Sequence, residues 1–257
     1  MKKTVLDINC DLGESFGAYQ LGRDEEILGL ITSANVACGF HAGDPHVMRK
    51  TVALAKKNGV RVGAHPGLPD LIGFGRRAMD ISPTELKDML TYQMSALRGF
   101  VEATGMKLQH VIQHGALTRM AEENEAIGKA IVDSILEVDP TLFYLTLEGS
   151  YLPEMAKKMG LRTVRVAFAD RAYDQKKRLV SRNVPGSVIH DLDRVEERIE
   201  QLVTTGEIRT IEGENIPIEF DSMMLHGDHP EALRIAKTVS NTLKRLGVMV
   251  KPMSEFF

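Results

Sequence analysis

The order of secondary structure is indicated most clearly by residues 33–65, which read SANVACGFHAGDPHVMRKTVALAKKNGVRVGAH. Residues 34–38 and 60–64 are short apolar runs, which is typical of buried strands. Between them, apolar residues recur at helical spacing over residues 45–57, with Asp44 as the N-cap and Asn58-Gly59 as the stop signal. The stretch therefore predicts a strand, a helix and a second strand parallel to the first.

The same alternation continues along the rest of the chain. Further strands are predicted at residues 5–8, 108–112, 143–147, 163–168, 223–225 and 248–250, and further helices at 82–105, 120–136, 152–159, 192–203 and 230–246. Because no linker or change of composition interrupts the pattern, it predicts one α/β domain over residues 1–257, built on a parallel sheet. An open doubly wound sheet and a closed barrel both fit. Residues 208–220 predict a hairpin added to this framework.

Composition excludes several classes of protein. The 257 residues are 43% hydrophobic and 26% charged, as in ordinary globular proteins and unlike disordered chains. The net charge of −3 argues against a nucleic-acid partner, because phosphate binding needs a basic surface. No stretch approaches the roughly 18 apolar residues of a membrane span, and two cysteines are too few for a disulfide framework. A cytoplasmic location is expected.

Ionisable residues follow seven of the predicted strands. In parallel α/β proteins, active sites lie at the carboxyl ends of the strands, so we expect these residues to share one site. The candidates are Asn9, Asp11, Glu14, His41, Asp44, His65, His114, Asp170, Arg171, His226 and Asp228. Asp44 is explained equally well as a helix cap. The other histidines, at positions 46, 110, 190 and 229, are interpreted as ordinary structural residues.

The residue types suggest acid–base chemistry. Asp11, His41, His65 and His114 are assigned to catalysis, because a carboxylate that orients a histidine is a recurring catalytic arrangement. The remaining seven candidates are assigned to substrate binding. Asp11, His41 and His65 could instead hold a divalent metal, as in deacetylase-type sites. The chain has no phosphate-loop, dinucleotide-binding or nucleophile-elbow motif.

Several long motifs resemble those of the LamB/YcsF family of 5-oxoprolinase A subunits. They are NCDLGESFG at 9–17, SANVACGFHAGDP at 33–45, GAHPG at 63–67, PDLIGFGRR at 69–77, HGAL at 114–117, FADRAY at 168–173 and HGD at 226–228. The motifs occur in the family's order and span essentially the whole chain.

This resemblance implies a distorted (β/α)7 TIM-like barrel of the glycoside hydrolase/deacetylase kind. It also implies the ATP-dependent opening of 5-oxo-L-proline to L-glutamate, performed together with subunits B and C and with ATP as co-substrate. Two alternatives stay open: a metal-dependent deacetylase or amidohydrolase on the same barrel, and a non-catalytic subunit that binds a small anion.

The chain departs from the family pattern at two places. The family usually has Lys-Pro before the His-Gly-Ala-Leu motif, whereas this chain has Ile112-Gln113. After Asp174 the family usually has Asp-Gly, whereas this chain has Lys176-Lys177. The missing lysine removes a cation that could neutralise a phosphate or an oxyanion, and Arg119 or Lys176 could replace it.

Overall fold

The structure is a computed structural model that describes residues 3–257. Its strands are β1 (Val5–Leu12), β2 (Ser33–Ala37), β3 (Arg61–His65), β4 (Leu108–Val111), β5 (Phe143–Thr146), β6 (Arg162–Phe168), β7 (Glu207–Arg209), β8 (Asn215–Pro217), β9 (Ser222–His226) and β10 (Met249–Val250). Strands β1 to β6 and β9 pair in parallel, and β1 contacts both β2 and β9, so the ring closes. This confirms the barrel and excludes the open sheet.

Helices alternate with the strands of the barrel. They are α1 (Asp24–Ile27), α2 (Pro45–Lys57), α3 (Pro83–Glu102), α4 (Ala116–Glu123), α5 (Glu125–Val138), α6 (Leu152–Lys158), α7 (Leu192–Thr205) and α8 (Ala232–Arg245). The caps read from the sequence are present: Asp44 accepts hydrogen bonds from the backbone N–H groups of His46 and Val47, and Ser82 and Glu85 form a capping box. Between residues 3 and 257, no helix is long and apolar enough to cross a bilayer.

The predicted helix over residues 120–136 was wrong in its extent. Two helices occupy this region, α4 and α5, and Asn124 separates them with an extended backbone at φ −139° and ψ 110°. The Asn124 side chain accepts a hydrogen bond from the N–H of Ala126, so it caps α5 instead of continuing α4. The apolar periodicity runs across this break and conceals it. The hairpin expected near 208–220 is present as the antiparallel pair β7 and β8.

The barrel interior is lined by polar side chains along β1. Asp7, Asn9 and Asp11 alternate with apolar residues, as the two-residue period of a strand requires, and all three are buried. Asp7 accepts hydrogen bonds from Thr32 and Ser33 at 2.8 and 2.6 Å. Burial raises the pKa of Asp7, and these hydroxyl bonds oppose that rise only in part. Asp7, Asn9 and Asp11 thus form a polar column inside the barrel, with Asp11 nearest the carboxyl end of β1.

The closing seam between β1 and β9 requires a glycine. Gly227 directly follows β9, and a Cβ atom at this position would lie 2.0 Å from the backbone oxygen of Asp11. Backbone atoms cannot move aside as a flexible side chain can. The approach of the last barrel strand to the first therefore depends on the absence of a side chain at position 227.

We expect Gly227→Ala to lower the free energy of unfolding by about 1–3 kcal/mol, the usual cost of forcing atoms into a packed region. Gly99→Ala is the matched control, because Gly99 is an exposed residue of α3 and its Cβ would meet nothing within 4 Å. That change should stabilise the protein by up to about 1 kcal/mol through helix propensity. Urea denaturation of both variants measures the difference, and equal stabilities would contradict the argument.

Candidate active site

Five of the eleven predicted site residues line one cavity. Its volume is about 1240 Å³, and its lining includes Asp11, His65, His114, Arg171 and His226. These residues come from β1, β3, the loop after β4, the loop after β6, and β9. Five residues that follow or end separate strands therefore border the same cavity.

Asp11 is held by a chain of buried hydrogen bonds. The Asn35 amide nitrogen donates to Asp11 Oδ1 at 2.9 Å and to Asn9 Oδ1 at 2.8 Å. His110 Nε2 lies 2.7 Å from the Asn35 amide oxygen, which can only accept, so His110 donates this bond. Burial pushes the pKa of Asp11 upward, but His65, His226 and Asn35 outweigh it and bring the pKa down to about 2. Asp11 is therefore a fixed carboxylate.

Two backbone carbonyl groups set the ring orientations of His65 and His114. His65 Nδ1 lies 2.8 Å from the oxygen of Ile112, and His114 Nε2 lies 2.8 Å from the oxygen of Phe74. Because a carbonyl oxygen only accepts, each of these nitrogens carries the ring proton. The opposite nitrogens, His65 Nε2 and His114 Nδ1, face each other at 2.9 Å. They form a hydrogen bond only if one ring takes up a second proton.

Glu14 and His41 lie behind this pair. His41 Nε2 is 3.4 Å from Glu14 Oε1, and the His41 ring stacks on His114 with 3.7 Å between centroids. Within residues 3–257, neither Glu14 oxygen and neither His41 nitrogen makes a hydrogen bond. Burial, with Asp11 and Asp228 nearby, raises the pKa of Glu14 well above its usual range, and burial lowers the pKa values of His41 and His114.

These four residues could hold a metal ion. Glu14, His41, His65 and His114 each offer one ligand atom, and the four atoms lie within 4.8 Å of one another. The group differs from the triple suggested by the sequence, because Glu14 takes the place of Asp11 and His114 is added. Imidazole and carboxylate donors suit divalent transition metals.

On the other side of the cavity, His226 is paired with Asp170. His226 Nδ1 lies 2.9 Å from Asp170 Oδ2, and since the carboxylate accepts, Nδ1 carries the proton. Burial alone would raise the pKa of Asp170, but His226 and Arg171 lower it overall. This orientation leaves His226 Nε2 as an acceptor, which is the arrangement of a general base.

The cations around the cavity differ in how far they are engaged. Arg171 donates to the backbone oxygens of Val180 and Ser187 at 2.5 and 3.2 Å, so it holds the loop that follows it. Arg76 pairs with Asp228, and Arg119 pairs with Glu123 on the surface. Arg76 and Arg119 are therefore balanced by carboxylates, whereas Arg171 uses its donors on neutral carbonyl groups.

Arg182 is a cavity residue that sequence reasoning missed. It lines the cavity and is half-buried, and in the part of the chain that the structure describes it forms no ion pair or hydrogen bond. Burial, together with Arg76, lowers its pKa. No motif or strand end marks this position, because only the folded path of residues 171–190 brings Arg182 to the cavity.

Six of the predicted site residues do not line the cavity, and two of them, Asn9 and Asp44, make contacts elsewhere in the fold. Asn9 is buried below Asp11 and donates to Ser222 Oγ at 2.7 Å. Asp44 caps α2 and accepts a hydrogen bond from the N–H of Gly17 at 2.8 Å. These contacts hold strands and loops in place beside the cavity and do not reach into it.

The closed parallel barrel with an ionisable rim places the protein among the TIM-like barrels. The LamB/YcsF family model matches residues 6–257, and the chain belongs to this family. A curated relative, the A subunit of 5-oxoprolinase from Pyrococcus furiosus, is 51% identical over 98% of both chains. The crystal structure of a lactam utilization protein from Thermus thermophilus matches with a TM-score of 0.92 at 41% identity, covering 97% of this chain and 100% of that one.

A more distant match shows only the fold. A peptidoglycan deacetylase from Bacillus subtilis superimposes with a TM-score of 0.50 at 12% identity, covering 98% of this chain and 89% of that chain. The barrel is thus of the deacetylase type, as the sequence resemblance implied.

We expect Asp44→Ala to lower the free energy of unfolding by about 1 kcal/mol at neutral pH, the usual value of an N-cap. Bonds from the N–H groups of Gly17 and Val47 lower the pKa of Asp44. A lowered folded-state pKa gives stability that is present above the ordinary carboxyl range and lost as pH falls through it. The difference between wild type and Asp44→Ala should therefore shrink towards pH 3. Asp44→Asn keeps an acceptor and is the control, with a smaller loss. A difference that stays constant with pH would contradict this account.

Proposed function

We propose that this chain is the A subunit of a 5-oxoprolinase, which hydrolyses the lactam 5-oxo-L-proline to L-glutamate. One observation carries the proposal: a relative named as the A subunit of 5-oxoprolinase is 51% identical over 98% of both chains. The cavity with its carboxylate and its oriented histidine offers groups suited to hydrolysis of an amide bond.

The proposal includes ATP and two further subunits, B and C. A lactam is an unactivated amide, and transfer of the γ-phosphoryl group of ATP to its oxygen would make the ring carbon electrophilic. Water then adds to that carbon, and the C–N bond breaks as the nitrogen takes up a proton, which leaves an acyl phosphate. A second water attacks the acyl phosphate, inorganic phosphate leaves, and L-glutamate is formed. This chain's part would be to position the water and stabilise the developing charge.

Roles follow from which side chains line the cavity. His226 Nε2, oriented by Asp170, would accept the proton of the attacking water. Asp11, whose Oδ2 lies 3.4 Å from His65 Nε2, would accept a hydrogen bond from that water on the side of the cavity away from Asp170. His41 is absent from the lining, so we assign it no direct contact with substrate.

Arg182 would bind the substrate's negative charge. The carboxylate of 5-oxoproline, or a phosphoryl oxygen attached to the lactam, needs a cation that is not already paired. Arg171 is held by two carbonyl groups and Arg119 by Glu123. Lys176 also lines the cavity but is exposed, so the half-buried Arg182 is the better candidate.

Asp11→Asn should lower the rate of glutamate release by about 10²–10⁴-fold when the chain is combined with subunits B and C, 5-oxoproline and ATP. His190→Ala is the control, because His190 is exposed and lies outside the cavity lining, and it should change the rate little. Full activity of Asp11→Asn would remove Asp11 from the mechanism. No glutamate release from the wild-type mixture would overturn the proposed function and favour a non-catalytic subunit. Release of acetate from acetylated sugars by the isolated chain would favour a deacetylase.

Arg182→Gln should raise KM for 5-oxoproline by roughly 10–100-fold, because a hydrogen bond to a charged group contributes about 1.5–3 kcal/mol. Arg119→Gln is the matched control. Both arginines line the cavity, but Arg119 is exposed and paired with Glu123. Equal KM values for the two variants would assign the anion to another cation.

A further inference from the structure

The strongest unexplained feature of the molecule is the buried group formed by Glu14, His41, His65 and His114. Four of its polar atoms, the two oxygens of Glu14 and the two ring nitrogens of His41, have no hydrogen-bond partner within residues 3–257. All four side chains are buried, so water is largely kept from them. Buried polar groups without partners are rare because the desolvation they suffer is not compensated.

The facing nitrogens of His65 and His114 form a place where a cation can bind. The carbonyl groups of Ile112 and Phe74 already bind the one proton that each neutral ring carries. Two lone pairs at 2.9 Å therefore face each other, and they repel unless a positive charge lies between them. The charge could be a proton or a metal ion.

A proton would satisfy only half of the group. It would join His65 to His114 but leave Glu14 and His41 without partners. A metal ion takes one lone pair from each of the four residues at once. It also supplies the opposite charge that a carboxylate such as Glu14 needs in a buried site.

The separations suit a metal ion. Bonds of about 2.0–2.1 Å to a tetrahedral ion place neighbouring ligand atoms about 3.4 Å apart. Here His65 Nε2 and His114 Nδ1 are 2.9 Å apart, Glu14 Oε1 and His41 Nε2 are 3.4 Å apart, and Glu14 Oε1 and His114 Nδ1 are 3.8 Å apart. The His41 ring is stacked on that of His114, so His41 would rotate about its side-chain torsions to direct a lone pair at the same ion.

The surroundings of the group also have the features of a metal site. Histidine ligands usually donate the N–H of their other ring nitrogen to a carbonyl or carboxylate, which fixes the ring, and His65 and His114 both donate to carbonyl groups. Two glycines make room for His41, because a Cβ at Gly67 would lie 2.6 Å from His41 Nδ1 and one at Gly75 would lie 2.7 Å from His41 Cβ.

We propose that Glu14, His41, His65 and His114 bind one divalent transition metal ion of the Zn²⁺ type at the edge of the cavity. Three imidazole nitrogens and one carboxylate favour such an ion over Mg²⁺ or Ca²⁺, which prefer oxygen ligands. His65 and His114 also line the cavity, so the ion would bring positive charge to the rim where Asp11 lies. The inference rests on the contacts of these residues and not on the proposed function.

The test uses the full-length chain without an affinity tag, on its own, so that its result is separate from any assay of 5-oxoprolinase activity. The protein is treated with a chelator and dialysed, and Zn²⁺ is then titrated in a calorimeter. Metal content is measured after removal of unbound ion. We expect one ion per chain and no displacement by millimolar Mg²⁺.

Glu14→Gln and His41→Gln should each weaken Zn²⁺ binding by at least about 10–100-fold, the loss seen when even supporting residues of metal sites are changed. His46→Ala and His190→Ala remove exposed histidines and should bind as wild type does. Circular dichroism identifies any variant that fails to fold, and the Co²⁺ absorption spectrum of the wild type gives the coordination geometry independently of variants. Wild-type protein that binds no Zn²⁺, a Co²⁺ spectrum unchanged from the free ion, or wild-type affinity in both folded ligand variants would overturn the proposal.

Discussion

The two hydrogen bonds donated by the Asn35 amide hold the centre of this barrel together. They join Asp11 at the rim to Asn9 in the interior, and His110 fixes the Asn35 oxygen from the neighbouring side. A buried polar network stabilises a fold only when every member is satisfied, because each unpaired group carries its full desolvation cost. TIM-like barrels are usually filled by branched apolar side chains. Here the polar side chains along β1 take part of that space. The hydrogen bonds that order the interior therefore also fix the orientation of Asp11.

That constraint divides the rim into two chemically different sides. On one side, Asp11 and Asp170 are carboxylates of lowered pKa, held by Asn35 and His226. On the other, Glu14 is buried against neutral histidines and its pKa is raised. Asp11 and Glu14 are three positions apart in the sequence, yet their surroundings shift their pKa values in opposite directions. The cavity separates groups suited to moving a proton from groups suited to holding a cation.

Local signals in the sequence were sufficient for most of the fold. The helix at Pro45–Lys57 has its cap, its stop signal and its apolar face within one short stretch, so no tertiary information is needed to define it. The convergence of Asp11, His65, His114 and His226 follows from topology, since parallel strands end at one rim. Asn124 was missed because periodicity alone ignores a cap inside a continuous apolar pattern. The position of Arg182 in the cavity lining and the place of Glu14 beside the histidines both depend on loop paths. Gly13, at φ +71°, turns the chain between Asp11 and Glu14, and no spacing rule shows which histidines Glu14 then contacts.

The site also depends on the last step of barrel closure. Asp11 and His226 are paired across the seam between β1 and β9, the first and last strands of the ring, so they come from opposite ends of the chain. Such long-range pairing costs more chain entropy than pairing between neighbouring strands. Gly227 allows the close approach, and Ser222, at the start of β9, accepts from Asn9 and donates to Asp7, so the same strand completes the interior column. A chain with six strands in place but an open seam would lack both the polar column and the opposed pair at the rim. The arrangement of the candidate site and the closure of the barrel therefore arise together, and the close backbone approach at Gly227 lies directly beside that site.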